Sequence, residues 1–267
     1  MSLTKMPSLG LGTSQLEGDA ARDAVVDALE LGYRHIDTAR AYENERAIGA
    51  GLRDAAIPRG EIWVTTKVWL DDLEPDRLRR SAEASLKDLG LDRVDLLLVH
   101  WPNPAVKLGD TLAALHRVRQ DGLTRHMGVA NFPTALLREA IAEFPIHSNQ
   151  VEYHPYLAQR AVLDVAHSHG MVVTAYSPLG SGGLLGDPVI AEIAEARDAS
   201  VAQVALRWLL DQTGVAAIPK ASTHERRAEN LAALELAPLT YDERARIDAL
   251  DRGRRFVNPS FAPVWDK

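Results

Sequence analysis

Short β-branched or apolar runs alternate along this chain with segments whose apolar residues recur at helical spacing. Eight runs read as strands: residues 33–38, 62–68, 94–100, 126–130, 148–152, 172–176, 215–219 and, weakest in pattern, 234–237. The third, VDLLLVH, is almost wholly apolar, as burial on both faces of a parallel sheet requires. The segments between them read as helices. Glu74-Pro75 opens one, with proline at the first helical position, and Leu78, Ala82, Leu86 and Leu89 form its stripe before Gly90 caps it. Ser200-x-x-Gln203 and Thr240-x-x-Glu243 are capping boxes. Gly32, Gly122 and Gly170 stand where helices should end. Such alternation implies parallel strands with right-handed crossovers. Eight units in 267 residues favour an α/β fold of the closed (β/α)8 TIM-barrel type, occupying 1–267 as a single domain. The alternative is an open doubly wound sheet, which one miscounted unit would produce.

Composition narrows the function classes. Apolar residues make up 46%, enough for a full core, and the net charge is −7. An acidic chain gains little from nucleic-acid phosphates or anionic lipid, so neither is an expected partner. There is no cysteine, hence no disulfide framework and no thiolate chemistry, which suits the cytoplasm. The opening MSLTKMPSLGLGTS lacks a signal peptide's apolar core, and no run approaches the roughly 18 apolar residues of a membrane helix.

In barrels of this kind chemistry sits at the C-terminal ends of the strands. Those ends carry Asp37, Lys67, His100, Asn131, Gln150 with Glu152, Tyr176-Ser177 and Lys220. Taken singly, each has a plain structural reading. Asp37 could be a helix cap, Lys67 could reach to the rim, His100 could be a core histidine, and Tyr42 could be loop packing. A lysine straight after a buried strand needs an anion, however, and Asp37 is the natural one. Together, Asp, Tyr, Lys and His are harder to explain structurally. His167-x-His169 falls on a helical segment away from that end and reads as surface, so no metal site is expected.

These residues lie in segments that resemble the aldo-keto reductases: GYRHIDTARAYENE, TTKVW, LLLVHWP, GVANF, NQVEYHP, AYSPLG and IPKASTHERRAEN, in that order. The resemblance runs from about Gly10 to the C-terminus. Chain length and the ending APVWD look most like the bacterial 2,5-diketo-D-gluconate reductase B group, which also reduces methylglyoxal. It implies a barrel with extra helices and an N-terminal hairpin. It also implies NADP(H)-dependent reduction of small carbonyl substrates (2-oxoaldehydes, diketo sugar acids, keto esters) by a monomer. The implied catalytic tetrad is Asp37, Tyr42, Lys67 and His100.

Hydride addition to a carbonyl creates an alkoxide that needs a proton. In this scheme Tyr42 donates it, Lys67 lowers the phenol's pKa, Asp37 keeps Lys67 charged, and His100 orients the carbonyl oxygen. No complete G-x-G-x-x-G follows a strand, which disfavours a Rossmann domain. The family pattern instead stacks nicotinamide on Tyr176, with Asn131 and Gln150 on its carboxamide and Thr13 in the first loop. It runs Ser177, Leu179 and the glycine-rich loop along the pyrophosphate, and sets Lys220, Ser222, Arg226 and Asn230 at the adenosine end. Two cations there favour a 2′-phosphate, hence NADPH, although Arg226 and Arg227 could equally be a solvated helix face. Trp69 and Trp101 are candidate substrate walls, and Trp265 could fold over the pocket. Two positions depart from the family: Ala130 replaces a frequent serine, and Ser14 stands where many members have tryptophan. Two other classes remain: a weakly active cofactor-sensing barrel, and a Schiff-base lyase using Lys67 or Lys220.

Overall fold

A computed structural model describes residues 5–266. It contains one eight-stranded sheet, every strand parallel to its neighbours and ordered as in the chain. The strands are β1 Leu11–Gly12, β2 His35–Asp37, β3 Trp63–Val68, β4 Val94–Val99, β5 Thr124–Ala130, β6 Ile146–Glu152, β7 Val172–Tyr176 and β8 Val215–Ala217. The sheet curls until its first and last strands meet. Gly10 N donates to Ala217 O at 2.9 Å, Gly12 N to Pro219 O at 3.1 Å, and Ala217 N to Ser8 O at 2.8 Å. Gly12 permits this approach, because a Cβ there would lie 2.7 Å from the Ile218 carbonyl oxygen. These eight parallel strands fit the expected (β/α)8 architecture.

The strand count stands, but its membership shifts by one. Residues 234–237 are turn and coil after a helix, not a strand, and the first strand is Leu11–Gly12. Two residues are too few to show any periodicity, while Leu234 and Leu236 imitate an alternating strand. Part of any N-terminal hairpin would fall on residues 1–4, outside the described residues. The segment after them pairs in parallel with the end of β8.

Helices α1 Gly18–Leu31, α2 Glu45–Asp54, α3 Pro75–Leu89, α4 Leu108–Gln120, α5 Thr134–Glu143 and α6 Arg160–Ser168 alternate with the strands. Two helices, α7 Pro188–Ala196 and α8 Val201–Leu210, lie between β7 and β8, and α9 His224–Ala232 and α10 Tyr241–Asp248 follow. Both capping boxes form, at Ser200 on α8 and Thr240 on α10. Gly90 ends α3 in the left-handed conformation at φ 68°. Leu78, Ala82, Leu86 and Leu89 all face inward from α3.

Buried apolar residues fall into two groups. The larger fills the layer between sheet and helices; the smaller, Trp63, Leu96, Leu98 and Ala130, fills the inside of the ring. Leu96 and Leu98 share a face by strand alternation, as do His35 with Asp37 and Trp63 with Lys67. The inner face of β2 and β3 thus carries polar side chains towards the C-terminal mouth. No helix among the described residues is long and apolar enough to cross a membrane.

Candidate active site

Lys67, at the end of β3, is completely buried. Its ammonium donates to Asp37 Oδ1 at 2.5 Å and to the Thr38 carbonyl at 2.8 Å, and lies 3.5 Å from the Tyr42 hydroxyl. The second Asp37 oxygen accepts from Gln150 Nε2 at 2.7 Å, across the ring from β6. A buried ion pair is sustainable only when such bonds satisfy its remaining lone pairs and protons. Three partners occupy the ammonium's three N–H groups, so Lys67 is built as a fixed cation and not as a nucleophile.

Tyr42 ends a 3-10 turn, Arg40–Tyr42, directly after β2, and Glu43 follows it at φ 54°. Asn44 fixes this turn. Its amide donates to the carbonyls of Thr13 and Leu16, both at 2.8 Å, and its oxygen accepts from Thr38 Oγ1 at 2.9 Å. Glu45, also buried, accepts from Thr66 Oγ1 at 2.6 Å. Both residues lie in the recognised ENE segment, yet nothing in the sequence assigned them a task.

Burial pushes the Tyr42 hydroxyl above the ordinary phenol range; Lys67 and a hydrogen bond from Ser14 pull it down, and Asp37 pushes it up again. The net direction is upward, which corrects the expectation of a lowered phenol. Asp37 cancels much of the lysine's field, and burial then outweighs the remainder. For Lys67, burial opposes the charge, but Asp37 and Tyr42 raise its pKa above the usual lysine value. His100 is held well below the usual histidine range by burial and by Lys67, so its ring is neutral at pH 7. Its Nδ1 is buried without a hydrogen-bond partner among the described residues, and the ring lines the cavity.

Asp37, Tyr42 and His100 open on a cavity of about 1220 Å³, with Lys67 buried behind them. Trp69 and Trp101 form part of its wall together with Phe261 from the C-terminal segment. Phe261 stands edge-on to Trp69 at 5.7 Å and to Trp101 at 5.4 Å, and Trp265 packs behind Trp101 at 6.1 Å. The tail is fastened at its far end, where Asp266 accepts from Thr134 N at 2.9 Å and Thr134 Oγ1 at 2.7 Å.

Most residues expected at a cofactor also line this cavity: Thr13, Asn131, Gln150, Tyr176, Ser177 and Leu179 on one side, and Lys220, Arg226 and Asn230 at the far end. Ser222 is exposed nearby but outside the lining. Asn131 and Ser177 both have positive φ, 63° and 46°, a conformation non-glycine residues rarely adopt. Asn131 donates to the His100 carbonyl at 3.0 Å and accepts from the Tyr176 hydroxyl at 2.8 Å. Arg226 and Arg227 separate cleanly. Arg227 is buried and paired with Asp27 at 2.5 Å, so it is structural, whereas Arg226 is exposed and makes no ion pair among the described residues. Glu152, the remaining acid at a strand end, is fully buried and does not line the cavity. Among the described residues no group of three or more His, Asp or Glu side chains could hold a metal ion.

The chain matches the Aldo/keto reductase family over residues 8–252. It is 42% identical to the methylglyoxal reductase DkgB of Salmonella typhi, covering 98% of this chain and 99% of that protein. It is 44% identical to an aldo-keto reductase of Mycolicibacterium vanbaalenii, covering 94% and 90%. Among solved structures, a provisionally assigned 2,5-diketo-D-gluconic acid reductase B superposes with a TM-score of 0.96 at 41% identity, covering 98% and 94%. A Bombyx mori aldo-keto reductase in complex with NADP superposes with a TM-score of 0.88 at 34% identity, covering 96% and 92%.

Proposed function

The chain belongs to the aldo/keto reductase family, and from that premise we propose that it reduces small aldehydes and ketones with NADPH, Tyr42 supplying the proton. The observation that carries this reading is the Lys67 ammonium, locked between Asp37 and the Tyr42 hydroxyl at the mouth of the large cavity. A phenol with a raised pKa is fully protonated at pH 7, the form a reduction consumes. Once the proton has left, Lys67 stands 3.5 Å from the phenolate and stabilises it. His100, neutral and lining the cavity, donates to the carbonyl oxygen and aligns it with Tyr42. Trp69, Trp101 and Phe261 exclude water from the reacting carbonyl.

The residues present fit a dinucleotide. The cavity joins an amide-and-tyrosine end, at Asn131, Gln150 and Tyr176, to a cationic end, at Lys220 and Arg226. When bound, the nicotinamide supplies the hydride. Tyr176 offers it a flat face, and Gln150 Oε1, which has no protein partner among the described residues, offers its carboxamide an acceptor. Lys220 and Arg226, two exposed cations that make no ion pair among the described residues, favour a 2′-phosphate, and so NADPH over NADH. On this reading the whole chain works as one barrel domain and as a monomer, and the absence of cysteine suits the cytoplasm.

The substrate class follows the named relatives: 2-oxoaldehydes such as methylglyoxal, and diketo sugar acids. The test is a carbonyl panel, including methylglyoxal, 2,5-diketogluconate and a β-keto ester, assayed by loss of NADPH absorbance. Turnover with at least one member is expected, with kcat/KM higher for NADPH than for NADH. No turnover with any member would refute the activity, and a preference for NADH would refute the assignment of Lys220 and Arg226.

A further inference from the structure

The C-terminal tail is held at one buried carboxylate that the mechanism does not use. Glu152 ends β6 with no exposed surface. Its Oε1 accepts from Phe256 N at 2.7 Å and its Oε2 from Val257 N at 3.0 Å. His154 Nε2 lies 3.0 Å from Oε1, and the Arg255 guanidinium 3.7 Å from Oε2. A buried carboxylate persists only where donors and cations surround it, and three of these four groups, two donating amides and the Arg255 cation, belong to the tail.

The ring thus fixed has a specific seat. Phe256 lies edge-on to His154 at 5.3 Å, with the Arg254 guanidinium over its face at 4.6 Å. Its remaining edge rests on bare backbone in the glycine-rich loop. A Cβ at Gly183 would fall 2.8 Å from Phe256 Cζ, and one at Gly180 3.0 Å from Cε2. That loop is tightly wound, with positive φ at Ser177, Gly180, Ser181 and Gly182. Ser177, Leu179, Ser181 and Gly182 line the cavity, as do Phe256 and Val257 beside them.

We propose that Glu152 is a positioning residue for the cofactor: by holding the main chain of Phe256 and Val257, it seats the Phe256 ring against Gly180 and Gly183 and so sets how tightly residues 177–183 close on the dinucleotide. The proposal rests on the NADPH reading above. It also gives the loop glycines a task besides flexibility, since their bare Cα atoms make room for the ring.

Calorimetric titration of NADPH into the full-length protein tests it, with steady-state kinetics alongside. Wild type comes first. Failure of wild type to bind NADPH would overturn the NADPH reading and this inference with it, whereas wild-type binding leaves the variants to judge Glu152 alone. Glu152→Gln keeps the shape but turns one acceptor into a donor facing a backbone N–H. It should raise the NADPH Kd and KM about tenfold, with kcat at saturating NADPH within about threefold of wild type, because the tetrad is untouched. Gly183→Ala, at an ordinary φ of −66°, displaces the ring without touching the carboxylate and should show the same split. The double variant should bind about as weakly as the weaker single, since both changes act through one ring. A wild-type Kd in Glu152→Gln, effects that multiply in the double variant, or a loss of melting temperature alone would each overturn the proposal. If Glu152→Gln fails to fold, Gly183→Ala and Phe256→Ala decide, and a wild-type Kd in both refutes it.

Discussion

The two ends of the strand ring both bury titratable side chains, and the contrast between them shows what makes a site. At the N-terminal end His35 bonds Thr65 Oγ1 at 3.2 Å, Trp63 donates to the same oxygen at 3.2 Å, and His126 stacks on His147 at 4.2 Å. Burial, with a smaller push from Lys67 and against the pull of Asp37, lowers His35 to about 4, and burial with His126 lowers His147 to about 4. At the C-terminal end His100 is depressed in the same direction for much the same reason. A shifted histidine therefore does not distinguish mouth from floor. The difference is a permanent charge pair, Asp37 and Lys67, set beside a phenol that faces open space. The floor histidines pack against rings and a hydroxyl, with no phenol beside open space among their contacts.

The sharpest way to break this contrast is to remove one aromatic hydroxyl at the mouth and one aromatic ring from the floor. Tyr42→Phe should cost at least about 100-fold in kcat while leaving NADPH affinity intact. Trp63→Phe should leave kcat/KM within about threefold and cost stability instead, about 1–3 kcal/mol for the void left inside the ring. Kinetics and urea unfolding of both variants check this; a floor variant as inactive as the mouth variant would abolish the distinction.

A second pair separates charge from chemistry at the mouth itself. Lys67→Met strands a buried carboxylate and should cost about 3–5 kcal/mol in unfolding free energy as well as most turnover. Adding Asp37→Asn removes the stranded charge, so stability should recover while turnover does not. Recovery of both would mean that the pair serves folding only.

The smallest expected effects lie in pH dependence. With the Tyr42 pKa raised and that of His100 lowered, neither group changes state between about pH 6 and 9, so reductive kcat should be flat across that window. At the floor the sign is different. His35 and His147 resist protonation in the folded state, so between the usual histidine value and about 4 the unfolded chain binds more protons. Stability should therefore fall as pH drops through that range, and His147→Phe should lessen the slope. A reductive kcat that titrates near pH 7, or an unchanged stability slope in the variant, would refute the respective halves.

Much of this could be read from the sequence because strands ending in polar residues leave a local trace. Asp37, Lys67 and His100 each follow an apolar run, Tyr42 lies in the next loop, and the ring assembles them as expected. Leu11–Gly12 left no trace, since two residues carry no period, and Leu234 with Leu236 supplied a false one. The direction of the Tyr42 shift was hidden as well, because it depends on how far Asp37 offsets Lys67. Glu152 was equally opaque: its donors are main-chain amides about 100 residues away, a group every residue but proline possesses. Asn131 and Ser177 gave no hint of their positive φ, which follows from where β5 and β7 deliver the chain to the rim.

Of the five tryptophans, Trp69, Trp101 and Trp265 gather at the rim around the tail, while Trp63 and Trp208 are buried away from it. The molecule is thereby fitted with an intrinsic optical gauge. Lifting the last dozen residues would wet the rim indoles and shift their fluorescence to longer wavelength, against an unmoving background from the interior pair. Any displacement of the tail would then be read by emission in the unlabelled protein.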